Sequence, residues 1–342
     1  MQESFDYGHG ISAVDALYDG HPAQTAVHIV IENGRAAIVD TGTSHAAERV
    51  LAALAARGVR AEAVDYVILT HVHLDHAGGA GQLIARCPNA VLAVHPRGRR
   101  HMEDPSRLMA ATVEIYGEQA TCRVYGEVLP VPAARVVEMH EGSVLELAGR
   151  EFRCLDAPGH ARHHVVLHDS KSGHIFAGDT FGLSYRALDR DGRQYVFPTT
   201  SPSQFDPAAL HRSIDRMLEL RPEAIYVTHF GRIGETRRLA GDLHRLIDAH
   251  AETALRLREP GPQRHARLVA GVRDIVLDEA ARQRWALTKE EVIAIFEFDI
   301  ELNAQGLAAW LDASPAQPQQ HSERGERSDT HSKKRDLPLK KR

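Results

Sequence analysis

Four apolar, strand-like runs of this chain end in histidine or aspartate, and this repeated ending is its strongest constraint on the fold. The run VDYVILT leads directly into HVHLDH at residues 71–76. Three later runs, EFRCLDA, HIFAG and AIYVT, lead to His160, Asp179 and His229. Neighbouring strands of a sheet lie about 4.8 Å apart, so side chains at adjacent strand ends meet although they are distant in sequence. The pattern predicts a sheet edge that collects these groups.

Histidine nitrogens and carboxylate oxygens bind zinc at about 2.0–2.2 Å, which makes this edge a candidate metal site. Taken singly, His160 or His229 is more often a structural histidine, and Asp179 more often a cap or turn residue. The HVHLDH cluster after a buried strand, in a chain with 22 histidines, favours ligands instead. The predicted ligands are His71, His73, Asp75, His76, His160, Asp179 and His229.

The first two-thirds of the chain alternates strand-like and helix-like segments. TAVHIVIE and RAAIVD flank an Asn-Gly pair, which predicts a hairpin, and a helix closing on Gly58 follows. Residues 99–117 are predicted to be helical around Pro105, and an amphipathic helix is expected at about 207–220. This region, residues 1–233, is the predicted catalytic domain.

A different pattern begins at Gly234, where long helical stretches replace the alternation. The first is broken by PGP, the second reaches about residue 284, and the third opens with a capping box of Thr288 and Glu291. We therefore expect a helical C-terminal region at 234–313, serving either as a cap over the site or as a homodimer surface. Residues 314–342 are polar and contain proline, which predicts a disordered tail. Its basic end suggests an inert solvated segment more than a targeting or nucleic-acid patch.

Composition narrows the function classes. The chain has 342 residues, of which 43% are hydrophobic and 25% charged, and a net charge of −5, so nucleic acid is not expected as its main partner. Three widely spaced cysteines without a CxxC pair argue against a disulfide framework and against thiolate zinc, and we expect buried thiols. With no signal-like start and no apolar run of eighteen residues, a cytoplasmic location without membrane contact is predicted.

The order HxHxDH, PGH, GD and TH over residues 10–230 resembles the metallo-β-lactamase-fold hydrolases. That resemblance implies an α+β fold, a four-layer αββα sandwich with a two-metal site at one edge. By position it assigns His71, His73 and His160 to one metal, Asp75, His76 and His229 to a second, and Asp179 to both. Asp40 in IVDTG matches an early aspartate that supports the site loops, although a helix-entry cap is an equal alternative.

Glyoxalase II-like hydrolases and several uncharacterised relatives combine this core with a helical C-terminal region. The segment FDPAALHRSIDRMLELRPEAIYVTHFG resembles the uncharacterised branch more than it resembles glyoxalase II itself. PGHA at 158–161 departs from the glyoxalase-type PGHT, which argues against a glutathione thioester, although His164 occupies the later histidine of the pattern.

The predicted reaction is hydrolysis of a small ester, thioester, lactone or amide by a hydroxide that bridges two divalent ions. Zinc is the default ion, with iron or manganese as alternatives. Asp75 or a metal-bound water would protonate the leaving group. Tyr185 is expected near the mouth, where its hydroxyl could polarise a carbonyl, with plain packing as its alternative role.

Three other functions stay open: a mononuclear-iron oxidoreductase of persulfides, a phosphodiesterase, and a degenerate fold used for binding. The segment HPRGRRHMEDPSR could supply arginines to an anionic substrate, although a solvated helix face is the preferred interpretation. The remaining histidines near candidate loops are interpreted as structural or as neighbours of the ligands: His101, His163, His164, His168 and His174. Of these, His164 is the strongest candidate for a role in the pocket.

Overall fold

Two β-sheets pack face to face between outer layers of helices. The structure is a computed structural model that describes residues 4–200 and 204–313. The first sheet has strand order β1 to β7, with bounds Ser4–Asp6, Ile11–Asp15, Ala26–Glu32, Arg35–Val39, Val64–Ile68, Val91–Val94 and Val136–Glu138. The second runs from β13 back to β8, with β8 to β13 at Val144–Leu147, Arg150–Asp156, Val165–Asp169, Ile175–Gly178, Ile225–Val227 and Gly231–Ile233.

The helices fall into two groups along the chain. Those that precede or interrupt the sheets are α1 to α6, at Ala47–Ala56, Leu74–Ala77, Ala80–Arg86, Pro96–Glu103, Ser106–Tyr116 and Glu118–Tyr125. Those after β11 are α7, which precedes β12, and α8 to α10, which follow β13; their bounds are Pro207–Glu219, Thr236–Arg256, Arg264–Gln283 and Lys289–Ala313.

Alternation along the central strands fills two separate cores. On β3, Ile29 faces the layer formed by α1 and α3, whereas Val30 faces the second sheet and packs in the cluster that contains Phe152. All three side chains have no exposed surface. Because successive strand residues point to opposite faces, a strand between a helix layer and another sheet must be apolar on both faces, as this one is.

A third core joins the C-terminal helices to the outer face of the second sheet. Leu243 and Phe296 belong to one cluster with Ile225 and Val227 of β12. Burying each such side chain stabilises the fold by about 1.5–3 kcal/mol. The helices therefore cover the second sheet as α1 and α3 cover the first, which completes the four-layer αββα sandwich predicted from the sequence.

Parallel pairing puts several strand ends at one edge of the sandwich. β4 to β7 are parallel to one another, as are β11 and β12. Past the end of β5, Thr70 accepts a backbone hydrogen bond of 2.8 Å from Val165 of the second sheet. The two sheets are therefore joined at the edge where the predicted ligands follow their strands.

Most predicted elements are confirmed. Asn33 and Gly34, with φ of 47° and 77°, form the hairpin turn between β3 and β4. The capping box is present, with Thr288 N donating to Glu291 Oε2 at 2.7 Å and Glu291 N to Thr288 Oγ1 at 3.2 Å. The helical stretch predicted at 99–117 is two helices, α4 and α5, divided next to Pro105.

One expectation about the cysteines is wrong. All three thiols are free, but only Cys87 and Cys154 are buried, whereas Cys122 is exposed on the short helix α6, which was not predicted. Within residues 4–200 and 204–313, no helix is long and apolar enough to cross a membrane. The tail predicted at 314–342 lies outside the described residues.

Candidate metal centre

All seven predicted ligands meet at the shared edge of the two sheets. Their donor atoms form three groups in which every donor lies within 4.8 Å of the others: His71, His73 and His160; His71, His76 and Asp179; and Asp75, His76 and His229. The structure therefore brings together every metal ligand that the sequence predicts, from four stretches of the chain.

Three imidazoles form the first group. His73 Nδ1 lies 2.9 Å from His71 Nε2 and 3.0 Å from His160 Nε2. Ligands of a tetrahedral zinc at about 2.0–2.2 Å lie about 3.3–3.6 Å apart, so a small outward shift of His73 would accommodate an ion. Thr199 Oγ1 contacts Nδ1 of His160 at 2.7 Å and fixes that ring from the other side.

The group of Asp75, His76 and His229, here called the second group, contains two imidazoles and a carboxylate. Asp75 Oδ2 lies 3.3 Å from His229 Nε2 and 3.5 Å from His76 Nε2, spacings that fit ligands of a common ion. His229 Nδ1 lies 2.8 Å from the carbonyl oxygen of Gln24. Because a carbonyl only accepts hydrogen bonds, His229 donates from Nδ1, and loss of the proton on its Nε2, which metal binding requires, would point a lone pair into the site.

Asp179 faces both groups. Its Oδ1 lies 3.3 Å from His76 Nε2 and 3.6 Å from His229 Nε2, whereas its Oδ2 lies 3.5 Å from His160 Nε2. One oxygen is thus turned to each set of imidazoles, which is the arrangement expected of a bridging carboxylate.

Glycines directly before two of the ligands allow close approaches, one to another strand end and one to helix α7. Gly178 precedes Asp179 with φ of 50°, and a Cβ there would lie 2.5 Å from Thr70 Oγ1. Gly159 precedes His160 with φ of 136°, and a Cβ there would lie 2.4 Å from the backbone of Leu210. Neither position accepts a side chain, so these glycines place the ligands that follow them.

Asp40 is buried behind the site and holds three strand ends together. Its Oδ2 accepts hydrogen bonds from His76 Nδ1 at 2.8 Å and from Thr228 Oγ1 at 2.7 Å. Its Oδ1 accepts one from the backbone N–H of Thr70 at 2.8 Å. Of the two roles open to Asp40, support of the site is therefore the one the structure shows; it also leaves Nε2 of His76 turned inward.

The donor set fits a cation. His76 Nε2 and Asp179 Oδ1 are buried without a hydrogen-bond partner among the described residues. Since Nδ1 of His76 donates to Asp40, a neutral ring turns a lone pair on Nε2 toward carboxylate oxygens. Lone pairs that face one another in a buried space repel, and a positive charge between them removes the repulsion. Nitrogen and oxygen donors without a thiolate suit zinc, iron or manganese.

The electrostatics of the edge differ between the two groups. Burial, reinforced by the neighbouring imidazoles, holds the pKa of His71 well below its ordinary value. Burial also lowers the pKa of His229, but Asp179 and Asp75 outweigh it and raise the pKa to about 9. Burial raises the pKa of Asp179, yet His76 and His229 outweigh that and hold it well below its ordinary value. The second group therefore carries the stronger negative potential.

His164 is not a ligand but positions one. Its Nε2 accepts a hydrogen bond of 3.2 Å from the backbone N–H of Asp179, and its ring stacks on His71 with centroids 4.7 Å apart. His163 lies against His73 with centroids 5.7 Å apart. Both lie behind the ligands, as predicted for neighbours of the ligands, but the pocket role expected of His164 is wrong, because His164 does not line the cavity.

A cavity opens in front of the edge, and Tyr185 lies in its wall. His73, Asp75, Asp179 and His229 all line it. Tyr185 is 7% exposed and donates its hydroxyl to Asp299 of α10, with oxygen–oxygen distances of 3.0 and 3.2 Å. Tyr185 is therefore placed at the site, as predicted, but its hydroxyl already has a partner that the sequence did not suggest.

Residues of the last helix complete the cavity, which the sequence reasoning missed. Phe298, Asp299, Leu302 and Asn303 of α10 line it. A usable signal was present, because Asp299 and Asn303 are four residues apart and so share one face of a mostly apolar helix. The sequence left two roles open for the C-terminal helices, a cap over the site and a homodimer surface. These contacts support the cap.

Asn303 also connects α10 to the first ligand group. Its Oδ1 accepts a hydrogen bond of 2.6 Å from the backbone N–H of Thr200, and its Nδ2 donates to the carbonyl of Pro198 at 3.2 Å. Thr199, between these residues, contacts His160. The buried amide of Asn303 thus fixes the segment that orients one imidazole.

Comparison with known proteins identifies the family. Residues 21–229 match the sequence family described as the Metallo-beta-lactamase superfamily, which is more than half of the chain. The chain belongs to the metallo-β-lactamase superfamily. This match confirms the predicted family, which is a superfamily of hydrolases, and the predicted fold.

Two curated relatives have similar sequences. A metallo-beta-lactamase fold-containing protein of Sulfurisphaera tokodaii is 30% identical over 173 residues, which are 49% of this chain and 61% of that one. A hydroxyacylglutathione hydrolase of a Synechococcus strain is 35% identical over 150 residues, 44% of this chain and 45% of that one. The matches thus span between about half and three-fifths of the relatives' length.

Solved structures extend the likeness of fold over most of the chain. A metallo-beta-lactamase family protein from Thermus thermophilus aligns with 89% of this chain and 93% of its own, at a TM-score of 0.58 and 22% identity. The alignment shows a shared fold, and its coverage exceeds the 21–229 segment matched by the family.

Proposed function

We propose that this superfamily member is a metal-dependent hydrolase that cleaves a small carboxylic ester, thioester or lactone, using two divalent ions held by the seven side chains. The observation that carries the proposal is the position of Asp179, whose two oxygens face the two groups of imidazoles at the floor of an open cavity. The hydroxyacylglutathione hydrolase relatives support the thioester as one of the candidate bonds.

The chain's own residues would hold and orient the reactants. Divalent ions bound there would lower the pKa of a water molecule and polarise the substrate carbonyl. Asp40, Thr199 and the carbonyl of Gln24 fix the rings of His76, His160 and His229, so the ligand geometry is set before a substrate enters.

Two residues of the cavity wall would handle the proton and the substrate. Asp75 has a side chain that is 23% exposed and lines the cavity, where it can accept a proton from the attacking water and pass it to the leaving group. The hydroxyl of Tyr185 also faces the cavity and would orient the substrate carbonyl by turning its proton from Asp299 to the carbonyl oxygen.

Metal removal and return is the decisive experiment. We expect protein loaded with zinc to contain about two ions per chain and to hydrolyse simple esters or lactones, with turnover lost on chelation and restored by zinc, iron or manganese. His73→Ala should abolish turnover and bind fewer ions. His140→Ala, a matched change of a histidine whose side chain is 64% exposed, should alter neither. Full turnover in the stripped protein would reject the proposal.

The same preparations separate the alternatives. One bound iron per chain with oxygen uptake on a persulfide would favour the oxidoreductase, and cleavage of phosphodiesters but not of carboxylic esters would favour the phosphodiesterase. The second group of Asp75, His76 and His229 supports two ions over one. Three properties stay predictions: the cytoplasmic location, the homodimer and the domain boundary at residue 233. The three free thiols support the first of them.

A further inference from the structure

The wall opposite the metal ligands is built from aromatic rings. Tyr18, Tyr116, Tyr125 and Phe298, here called the aromatic wall, come from three separate segments and all line the cavity. Their ring centroids are 6.1 to 6.4 Å apart around the set, and the hydroxyls of Tyr18 and Tyr125 are hydrogen-bonded at 2.9 Å. Ring-to-ring contact at these distances gives a continuous apolar surface.

Part of this apolar surface is open to solvent. Phe298 is 47% exposed, and Ile115, which lines the same cavity, is 46% exposed. Only six large hydrophobic side chains are exposed in the described part of the chain, and two of them border this one opening. Exposed apolar side chains that adjoin a catalytic cavity mark a surface that a ligand covers.

Apart from the ions that the ligands would hold, the described lining of the cavity has no fixed positive charge. Among the described residues that line it there is no lysine and no arginine. Arg123 lines an adjoining cavity, and its guanidinium is paired with Asp19. Arg97 and Arg100 line a third cavity that shares no residue with the first. Recognition of a substrate carboxylate usually needs an arginine fork, and none faces this site.

The polar group between the aromatic wall and the metal edge is close to neutral. Burial raises the pKa of Asp299 to about 7, even though the hydrogen bond from Tyr185 favours its charged form. When Asp299 is protonated, the pair holds two protons, so that one remains beside the Tyr185–Asp299 hydrogen bond and can be donated to an uncharged carbonyl or ether oxygen, and the pair carries no charge to attract a cation.

We infer that the substrate is a neutral ester or lactone whose apolar acyl chain packs on the aromatic wall, and that Phe298 and Ile115 determine the preferred chain length. This inference rests on the proposed hydrolase function and adds the substrate class. It excludes glutathione thioesters, which carry carboxylates, as good substrates.

A substrate series on the zinc-loaded protein tests the inference. We expect kcat/KM for p-nitrophenyl esters to rise by roughly tenfold for each two methylene groups added from acetate to octanoate. Phe298→Ala and Ile115→Ala should lower kcat/KM for octanoate by roughly tenfold and for acetate by much less, so that the ratio of the two values falls by roughly fivefold or more. The matched control is Leu255→Ala, a change of a side chain that is 51% exposed and outside this cavity, and it should alter neither value.

The outcomes distinguish failure of the inference from failure of the hydrolase proposal. Metal-dependent turnover that favours a glutathione thioester or a choline ester over neutral esters of equal size would overturn the inference alone. Equal losses on acetate and octanoate in both variants would do the same. Absence of metal-dependent turnover on every ester would reject the function. In that case, calorimetric titration with octanamide still tests whether an apolar chain binds to the aromatic wall. Binding to the wild type that is weakened in Phe298→Ala supports this part of the inference, and absence of binding to the wild type contradicts it.

Discussion

The metal edge and the aromatic wall face the same cavity but are held in opposite ways. At the edge, His71 and His76 are completely buried, and Asp40, at the end of β4, is bonded to the ends of β5 and β12 and to the His76 ring. At the wall, Phe298 is half exposed and is held by ring contacts. Rigid strand ends suit chemistry that needs fixed atoms, whereas helices that meet through side chains suit a surface that varies with the substrate.

The largest expected effect breaks the edge and spares the wall. Asp179→Ala removes the oxygens that face both imidazole groups, so we expect kcat/KM to fall by at least about a thousandfold and the bound metal to decrease. Steady-state kinetics with elemental analysis measures both. Asp278→Ala, the same change at an exposed position of α9, is the control. Near-normal turnover in Asp179→Ala would show that the edge is not the reaction centre.

The next effect tests support behind the ligands. Asp40→Asn keeps the size of the side chain but removes the negative charge that holds the His76 ring, so metal affinity should weaken by about 10- to 100-fold. Competition titration against a chelator measures it. Asp15→Asn is a matched control, because Asp15 is also buried but bonds to the backbone of Leu17 and Ala23. Equal metal affinity in the two variants would remove Asp40 from the site.

The third prediction concerns a buried histidine outside the metal edge, which should make the free energy of unfolding depend on pH. Burial in α8 lowers the pKa of His250 to about 4, so the unfolded chain takes up this proton first as the pH falls. The free energy of unfolding should therefore decrease between pH 7 and pH 5 by about 2 kcal/mol from this group, and His250→Gln should remove that decrease. Urea unfolding at both pH values measures it. His265→Gln, on the exposed side of α9, should leave the decrease unchanged. Identical pH dependence in wild type and His250→Gln would contradict the account.

The smallest expected effect is on kcat and comes from Tyr185, which lies between the metal edge and the aromatic wall. Tyr185→Phe removes only the hydroxyl that bonds to Asp299, and we expect kcat to fall up to about tenfold with KM little changed. Tyr226→Phe is the control, because that hydroxyl contacts His174 outside the cavity. A kcat that stays at the wild-type value assigns Tyr185 to packing, the alternative considered from the sequence.

The edge was predictable from the sequence because strand geometry is regular. A strand that ends in a ligand fixes where the side chain goes, and glycines next to His160 and Asp179 mark the close approaches. The hairpin at Asn33–Gly34 and the capping box at Thr288 were predictable for the same reason, since each depends on a few neighbouring residues.

The wall could not be predicted, because its contacts are long-range and have no period. Tyr18 and Phe298 are 280 positions apart in the sequence and meet only through the packing of α10 against the rest of the chain. No local pattern sets the direction of that helix. The spacing of Asp299 and Asn303 puts them on one helix face, but nothing in the sequence shows that this face meets Tyr185.

The amide of Asn303 has a consequence for how ligands communicate. It fixes Thr200, and the adjacent Thr199 contacts the ring of His160. Only a few backbone bonds therefore separate the face of α10 that lines the cavity from one of the predicted metal ligands. We expect occupancy of one to change the affinity of the other, and thermodynamic reciprocity requires the same coupling factor in both directions. An apolar ligand that settles against the helix would then alter how long the ions stay bound.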